Sequence, residues 1–220
     1  VQTCALPIYC DLQYLADAIS SYRNNNLPLD GYIISTLAHV LCNNPRIIPE
    51  QRELFQLLEE LALKHIDLFN ARELATLARA FSMKNSLNNA SYLFDKIAEA
   101  SIAKIGEFIP QGHVMLAKAF TSRQIQHREL FHNISNAAKL SLTSYNSQNL
   151  SSLPLAFRKI DILDQDLFSR IAAIAIREIH QFTVEELSNL EEALPAAEYP
   201  ELHQVISARQ NGKVFRPLEH

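Results

Sequence analysis

The stretch LFDKIAEASIAKIGEFIPQGHVMLAKAF at 93–120 and its counterpart LFSRIAAIAIREIHQFTVEELSNLEEAL at 167–194 decide the architecture. Each opens on Leu-Phe, carries an aromatic residue fourteen positions after that Phe, and a bulky apolar residue twelve positions further on. Working outward, the same frame starts at Leu54-Phe55 and Leu130-Phe131, so the Leu-Phe pairs stand 39, 37 and 37 residues apart. The middle markers are Phe69, Phe108, Tyr145 and Phe182, and the last markers are Phe81, Phe120, Phe157 and Leu194. A degenerate copy precedes them, with Leu15, Leu29 and Leu41 at the same offsets. Eight positions past the middle marker stands Leu in every copy (Leu37, Leu77, Leu116, Leu153, Leu190), and eleven past it a small residue (Val40, Ala80, Ala119, Ala156, Ala193). Self-similarity at a fixed period of this length is the signature of a repeat architecture.

Each copy reads as a helical hairpin. Phe94, Ile97, Ala98, Ser101, Ile102 and Ile105 recur at helical spacing, as do Phe168, Ile171, Ala172, Ala175, Ile176 and Ile179. The second segment opens on a capping residue: Asp30, Asn70, Asn146 or Thr183. Thr183 with Glu186 is a capping box, and Asn70 with Glu73 has the same spacing. In the third copy Pro110 stands where a first helical turn accepts proline. Polar connectors at 42–52 and 82–92 separate the hairpins. Such hairpins cannot bury an apolar face alone, so they stack. The expected fold is all-α, a right-handed α-solenoid of about five helical-hairpin repeats of 37–40 residues across 9–195, with copies starting near 13, 53, 92, 129 and 166. Residues 196–220 are expected to be a partial sixth repeat or a C-terminal tail.

Composition narrows function by exclusion. The 220 residues are 48% hydrophobic with net charge −4, so no global basic field points to nucleic acid. The longest apolar run, Ile171 to Ile176, is far short of the ~20 residues a membrane helix needs, and no membrane partner is expected. Cys4, Cys10 and Cys42 form neither a disulfide framework nor a zinc motif. His127 and His132 do not share a helix face, and His65, His113 and His180 lie in different copies. Asp161, Asp164 and Asp166 lack the glycine and distal glutamate of a calcium loop and read instead as a helix cap. The serine-rich stretch from Ser141 to Ser152 has no glycine for a nucleophile elbow. No enzyme, cofactor or metal is expected. At the ends, VQTCALPI (1–8) reads as the in-frame translation of a common sequencing adapter, and Leu218-Glu219-His220 as the start of a vector-encoded tag. A fragment of a longer protein, with any targeting segment outside it, is therefore expected.

The line Leu-Phe-x-x-Ile-Ala, an aromatic, then Pro110-Gln111 and a Leu-Ala pair resembles the octotricopeptide and heptatricopeptide repeats of organellar RNA-metabolism proteins, relatives of the FAST-kinase-like proteins. The likeness spans roughly residues 13 to 194, with Gln148 on the family's Gln and Asn189 on its Asn. Where the family has tryptophan, this chain has His39, Arg79, Lys118, Leu155 and Glu192, and no RAP domain is visible. The resemblance implies non-catalytic binding of single-stranded RNA (an organellar transcript or rRNA) in mitochondrial or plastid RNA processing, stability or translation. Other RNA-processing proteins are further implied partners.

A reader of one base per repeat needs non-core side chains at the same place in successive hairpins. Positions three, seven and ten past the middle marker share a helix face. They hold Tyr32, Thr36 and His39; Arg72, Thr76 and Arg79; Gln111, Met115 and Lys118; Gln148, Ser152 and Leu155; and Glu185, Asn189 and Glu192. The first four triads, save Leu155, together with Asn189, are the candidate RNA contacts. Residues 51–130 carry ten basic against nine acidic residues, and 167–220 five against eight, so phosphates are expected to avoid the C-terminal copies. The competing expectation is a protein-interaction scaffold of the HEAT or armadillo type. RNA binding requires the three positions to line one groove without negative charge across the second to fourth copies; an acidic or apolar groove favours the scaffold.

Overall fold

The computed structural model describes residues 30–42, 49–83 and 91–211. The adapter-like octet, Leu15, Leu29, Cys10 and Leu218 to His220 lie outside the described residues. Ten α-helices are described: α1 (Gly31–Cys42), α2 (Pro49–His65), α3 (Ala71–Ser82), α4 (Ser91–Ala103), α5 (Pro110–Ser122), α6 (Arg128–Ser141), α7 (Ser147–Lys159), α8 (Gln165–Arg177), α9 (Val184–Ala193) and α10 (Pro200–Gln210). No strand occurs among the described residues. The pairs α2/α3, α4/α5, α6/α7 and α8/α9 are the four hairpins, while α1 is the second helix of the copy before them. The first hairpin starts at Pro49, four residues ahead of the frame, and α10 occupies the stretch read as a sixth copy.

The spacing of the markers has a direct cause in packing. The first and last markers of a copy meet edge to face across its two helices: Phe55 on Phe81, Phe94 on Phe120 and Phe131 on Phe157, with centroids 5.9, 5.0 and 4.8 Å apart. Such pairs add about 0.5–1.5 kcal/mol each beyond the area they bury. The middle markers Phe69, Phe108, Tyr145 and Phe182 are buried where a short 3₁₀ turn joins the two helices. Leu77, Leu116, Leu153 and Leu190 are wholly enclosed, and so are Ala80 and Ala193. In α1, Leu37 is half-buried and Val40 is exposed.

Capping follows the sequence closely. Asp30, Asn70, Asn146 and Thr183 each accept the N–H three residues on, at 2.9, 3.0, 2.9 and 3.3 Å. Both Asn70–Glu73 and Thr183–Glu186 are reciprocal boxes. Asp164 caps α8, accepting from Leu167 N–H at 3.0 Å, and His127 caps α6 through Nδ1.

Successive second helices (α1, α3, α5, α7, α9) pack intimately side by side, whereas the first helices (α2, α4, α6, α8, α10) touch sparingly. The second helices thus form the more closely packed layer, called the inner face below. Gly31 shows how near the helices come: a Cβ there would fall 2.9 Å from the Phe69 ring of the next copy. Side-chain hydrogen bonds to backbone also cross between copies. Thr121 and Arg158, 37 positions apart, donate to the carbonyls of Ala156 and Ala193 in the following repeat.

Candidate functional site

The inner face is built from the residues that the repeat leaves out of its core. Because α3, α5 and α7 lie side by side, position ten of α3, all three positions of α5 and positions three and seven of α7 meet in one groove of about 380 Å³. From α3 comes Arg79; from α5 come Gln111, Met115 and Lys118; from α7 come Gln148 and Ser152. Six of the twelve candidate residues are thereby brought together. Ser82, Met83, Ser122 and Asn149 also line it, none of them singled out from sequence. The signal for two of these was present: Met83 and Ser122 continue the same face one turn further, fourteen past the middle marker. Asn149 sits one residue off that face.

The other six candidates are outside this groove. Arg72 and Thr76 sit on α3, and the Thr76 hydroxyl donates to the Arg72 carbonyl at 2.9 Å, so its hydrogen is engaged within its own helix. Tyr32, Thr36 and His39 are on α1 beyond α3, with Tyr32 62% exposed. Burial, followed by the charge of Arg79, holds the His39 imidazole below its ordinary value and so neutral near pH 7. Asn189 is on α9, at the far end.

The groove holds no carboxylate: its charged groups are the Arg79 guanidinium and the Lys118 ammonium. Neither forms an ion pair among the described residues, and nor does Arg72. Four cations of the later copies are paired. Lys139 lies 2.8 Å from Asp164, Arg170 2.9 Å from Asp166, Arg158 3.4 Å from Glu198 and Lys159 3.5 Å from Glu192. Burial works to raise the Asp164 carboxyl, but bonds from Leu167 N–H, Lys139 and Ser135 outweigh it and hold the group below its ordinary range. Two available cations, a row of amides and hydroxyls and the apolar Met115 suit a polyanion carrying polar planar groups.

No protein-family model matches the chain. The chain is similar to part of a mitochondrial FAST kinase domain-containing protein. Against human FAST kinase domain-containing protein 5 it is 28% identical over 158 residues, covering 70% of this chain. The orangutan and mouse proteins of that name are 27% identical over 152 residues and 26% over 142, covering 67% and 64% of this chain. The chain spans about a fifth of the length of the curated relatives it matches. The FAST-kinase-like link expected from the repeat line is supported at this level. All these relatives are named as mitochondrial, which takes the mitochondrion over the plastid for this chain.

Proposed function

We propose that this chain is a single-stranded RNA-binding segment, of the octotricopeptide type, in a protein of mitochondrial RNA processing, stability or translation, and that it binds without catalysis. The observation that carries this reading is the groove across α3, α5 and α7: Arg79 and Lys118, without a carboxylate partner among the described residues, flank Gln111, Gln148 and Asn149. Phosphates would meet the two cations, bases would meet the amides edge-on, and Met115 offers an apolar surface for a base face. A scaffold for protein helices calls for an apolar groove, and this one is mostly polar.

The test is fluorescence anisotropy of the 220-residue chain with a random single-stranded RNA pool at several salt concentrations. Saturable binding is expected. In Arg79→Ala/Lys118→Ala, log K plotted against log salt should flatten by about 1.4, since each phosphate contact to a single strand contributes ~0.7. Binding absent at low salt, or unaltered in the double variant with folding intact, removes the reading and leaves the protein scaffold.

A further inference from the structure

Resting on the RNA reading, we propose that Glu185 and Glu192 end the RNA path, so that a bound strand crosses α3, α5 and α7 and does not continue over α9. The argument starts from two equivalent positions followed through the stack. Position three past the middle marker holds Arg72, Gln111, Gln148 and Glu185 in α3, α5, α7 and α9, and position ten holds Arg79, Lys118, Leu155 and Glu192. The formal charge of this pair of positions thus falls from +2 to +1, to 0 and to −2 along the inner face.

A second observation concerns the same face. The one cation near the end of α7 that continues this face, Lys159, reaches across to α9 and pairs with Glu192 at 3.5 Å. The last helix that could hold a phosphate therefore has its lysine engaged by the next copy. Packed helices lie about 8–10 Å apart, which is close to the ~10 Å screening length at 0.1 M salt. With Lys159 engaged by Glu192, Glu185, which has no ion pair among the described residues, repels a phosphate above α7 or α9 but scarcely reaches one above α3. The groove itself stops at α7, where Gln148, Asn149 and Ser152 line it.

The experiment compares the wild-type chain with Glu185→Gln/Glu192→Gln, using oligoribonucleotides of increasing length together with 4-thiouridine crosslinking and peptide mapping. Both glutamates are exposed, and neither is a cap acceptor, so the variant keeps its fold. Glu201→Gln, on α10 in the outer layer, is the control for net charge. For wild type, affinity should stop rising at a short length, with crosslinks confined to α3, α5 and α7. In the double variant the plateau should move to longer RNA, crosslinks should reach 184–193, and the salt slope should steepen by about 0.7 as Lys159 is released to a phosphate. Glu201→Gln should leave all three unchanged. An unchanged plateau and crosslink map in the double variant, with wild-type binding intact, overturns this proposal and leaves RNA binding standing. A shift half as large in Glu201→Gln, one charge against two, overturns it in favour of a net-charge effect. Absence of wild-type RNA binding removes both proposals together.

Discussion

His113 shows what one residue can carry between copies. It lies on α5, buried, with Nε2 3.2 Å from the Ile105 carbonyl of its own copy and Nδ1 2.8 Å from the Tyr145 hydroxyl of the next. Both contacts are satisfied when Nε2–H donates to the carbonyl and the Tyr145 O–H donates to Nδ1, which is the neutral imidazole. Burial lowers the His113 value and raises that of Tyr145, favouring that same pair of neutral groups. The unfolded chain then binds the His113 proton more readily than the folded one. Its contribution is complete above the ordinary value of 6.5 and is lost as pH falls below it. Urea midpoints should accordingly drop between about pH 7 and pH 5. His113→Asn should cost about 1–3 kcal/mol at neutral pH and flatten that slope, because the Tyr145 hydroxyl and Ile105 carbonyl lose their partner. His39, lowered by burial and by Arg79, supplies a residual slope in the same range. A variant whose pH dependence equals wild type would show that His113 does not titrate with folding.

At the scale of the helix, the caps explain why the copies stay in register. Both α5 and α7 end in the same motif. Ile125 N–H returns to Phe120 O and Gln124 N–H to Thr121 O, while Ile162 returns to Phe157 and Asp161 to Arg158, all at 3.0 Å. This is the paired bonding of a Schellman end, which needs a left-handed residue at the turn. Gln124 and Asp161, 37 positions apart, adopt it with φ of 56°. Asp tolerates that conformation through its short polar side chain, whereas Gln carries its full cost of about 1–2 kcal/mol. Gln124→Gly is expected to raise stability by a fraction of that, up to about 1 kcal/mol, once the greater freedom of glycine in the unfolded chain is subtracted. Chemical denaturation measures it. A loss of stability would mean that the Gln124 side chain contributes contacts beyond its backbone.

At the scale of the molecule, stability is a sum over copies and their junctions. Leu116→Ala and Leu190→Ala remove equivalent, fully enclosed side chains and should each cost about 2–5 kcal/mol through the cavity left behind. Their reach should differ. Leu190 belongs to the last complete hairpin, so its loss should speed amide exchange in α8 to α10 alone. Leu116 sits in the centre, where the loss uncouples both halves and exchange should rise from α3 to α7. Hydrogen exchange resolved by peptide tests this. Identical exchange maps would mean that the stack unfolds as one unit, its junctions stronger than its copies.

The repeat frame alone determined the all-α fold, the hairpins and the caps, because periodic burial imposes a periodic pattern on the chain. A Phe fourteen residues from one marker and twelve from another is what two helices joined by a short turn require. The candidate face was legible for the same reason, since positions three, seven and ten are those the core columns leave over. Which of those side chains share a groove was not legible. The tight side-by-side packing of second helices joins Arg79 to Gln111 and Gln148, draws in Asn149, and leaves Asn189 apart. Pairing was equally hidden: Lys159 and Arg158 look as available as Lys118 until the stack places Glu192 and Glu198 beside them. The buried link from His113 to Tyr145 spans 32 residues, and an aromatic marker column gives no hint that one of its members carries a hydroxyl with a partner waiting. Local spacing dictates what a helix buries, but contacts between copies depend on how closely the helices approach, and only the tertiary structure sets that distance.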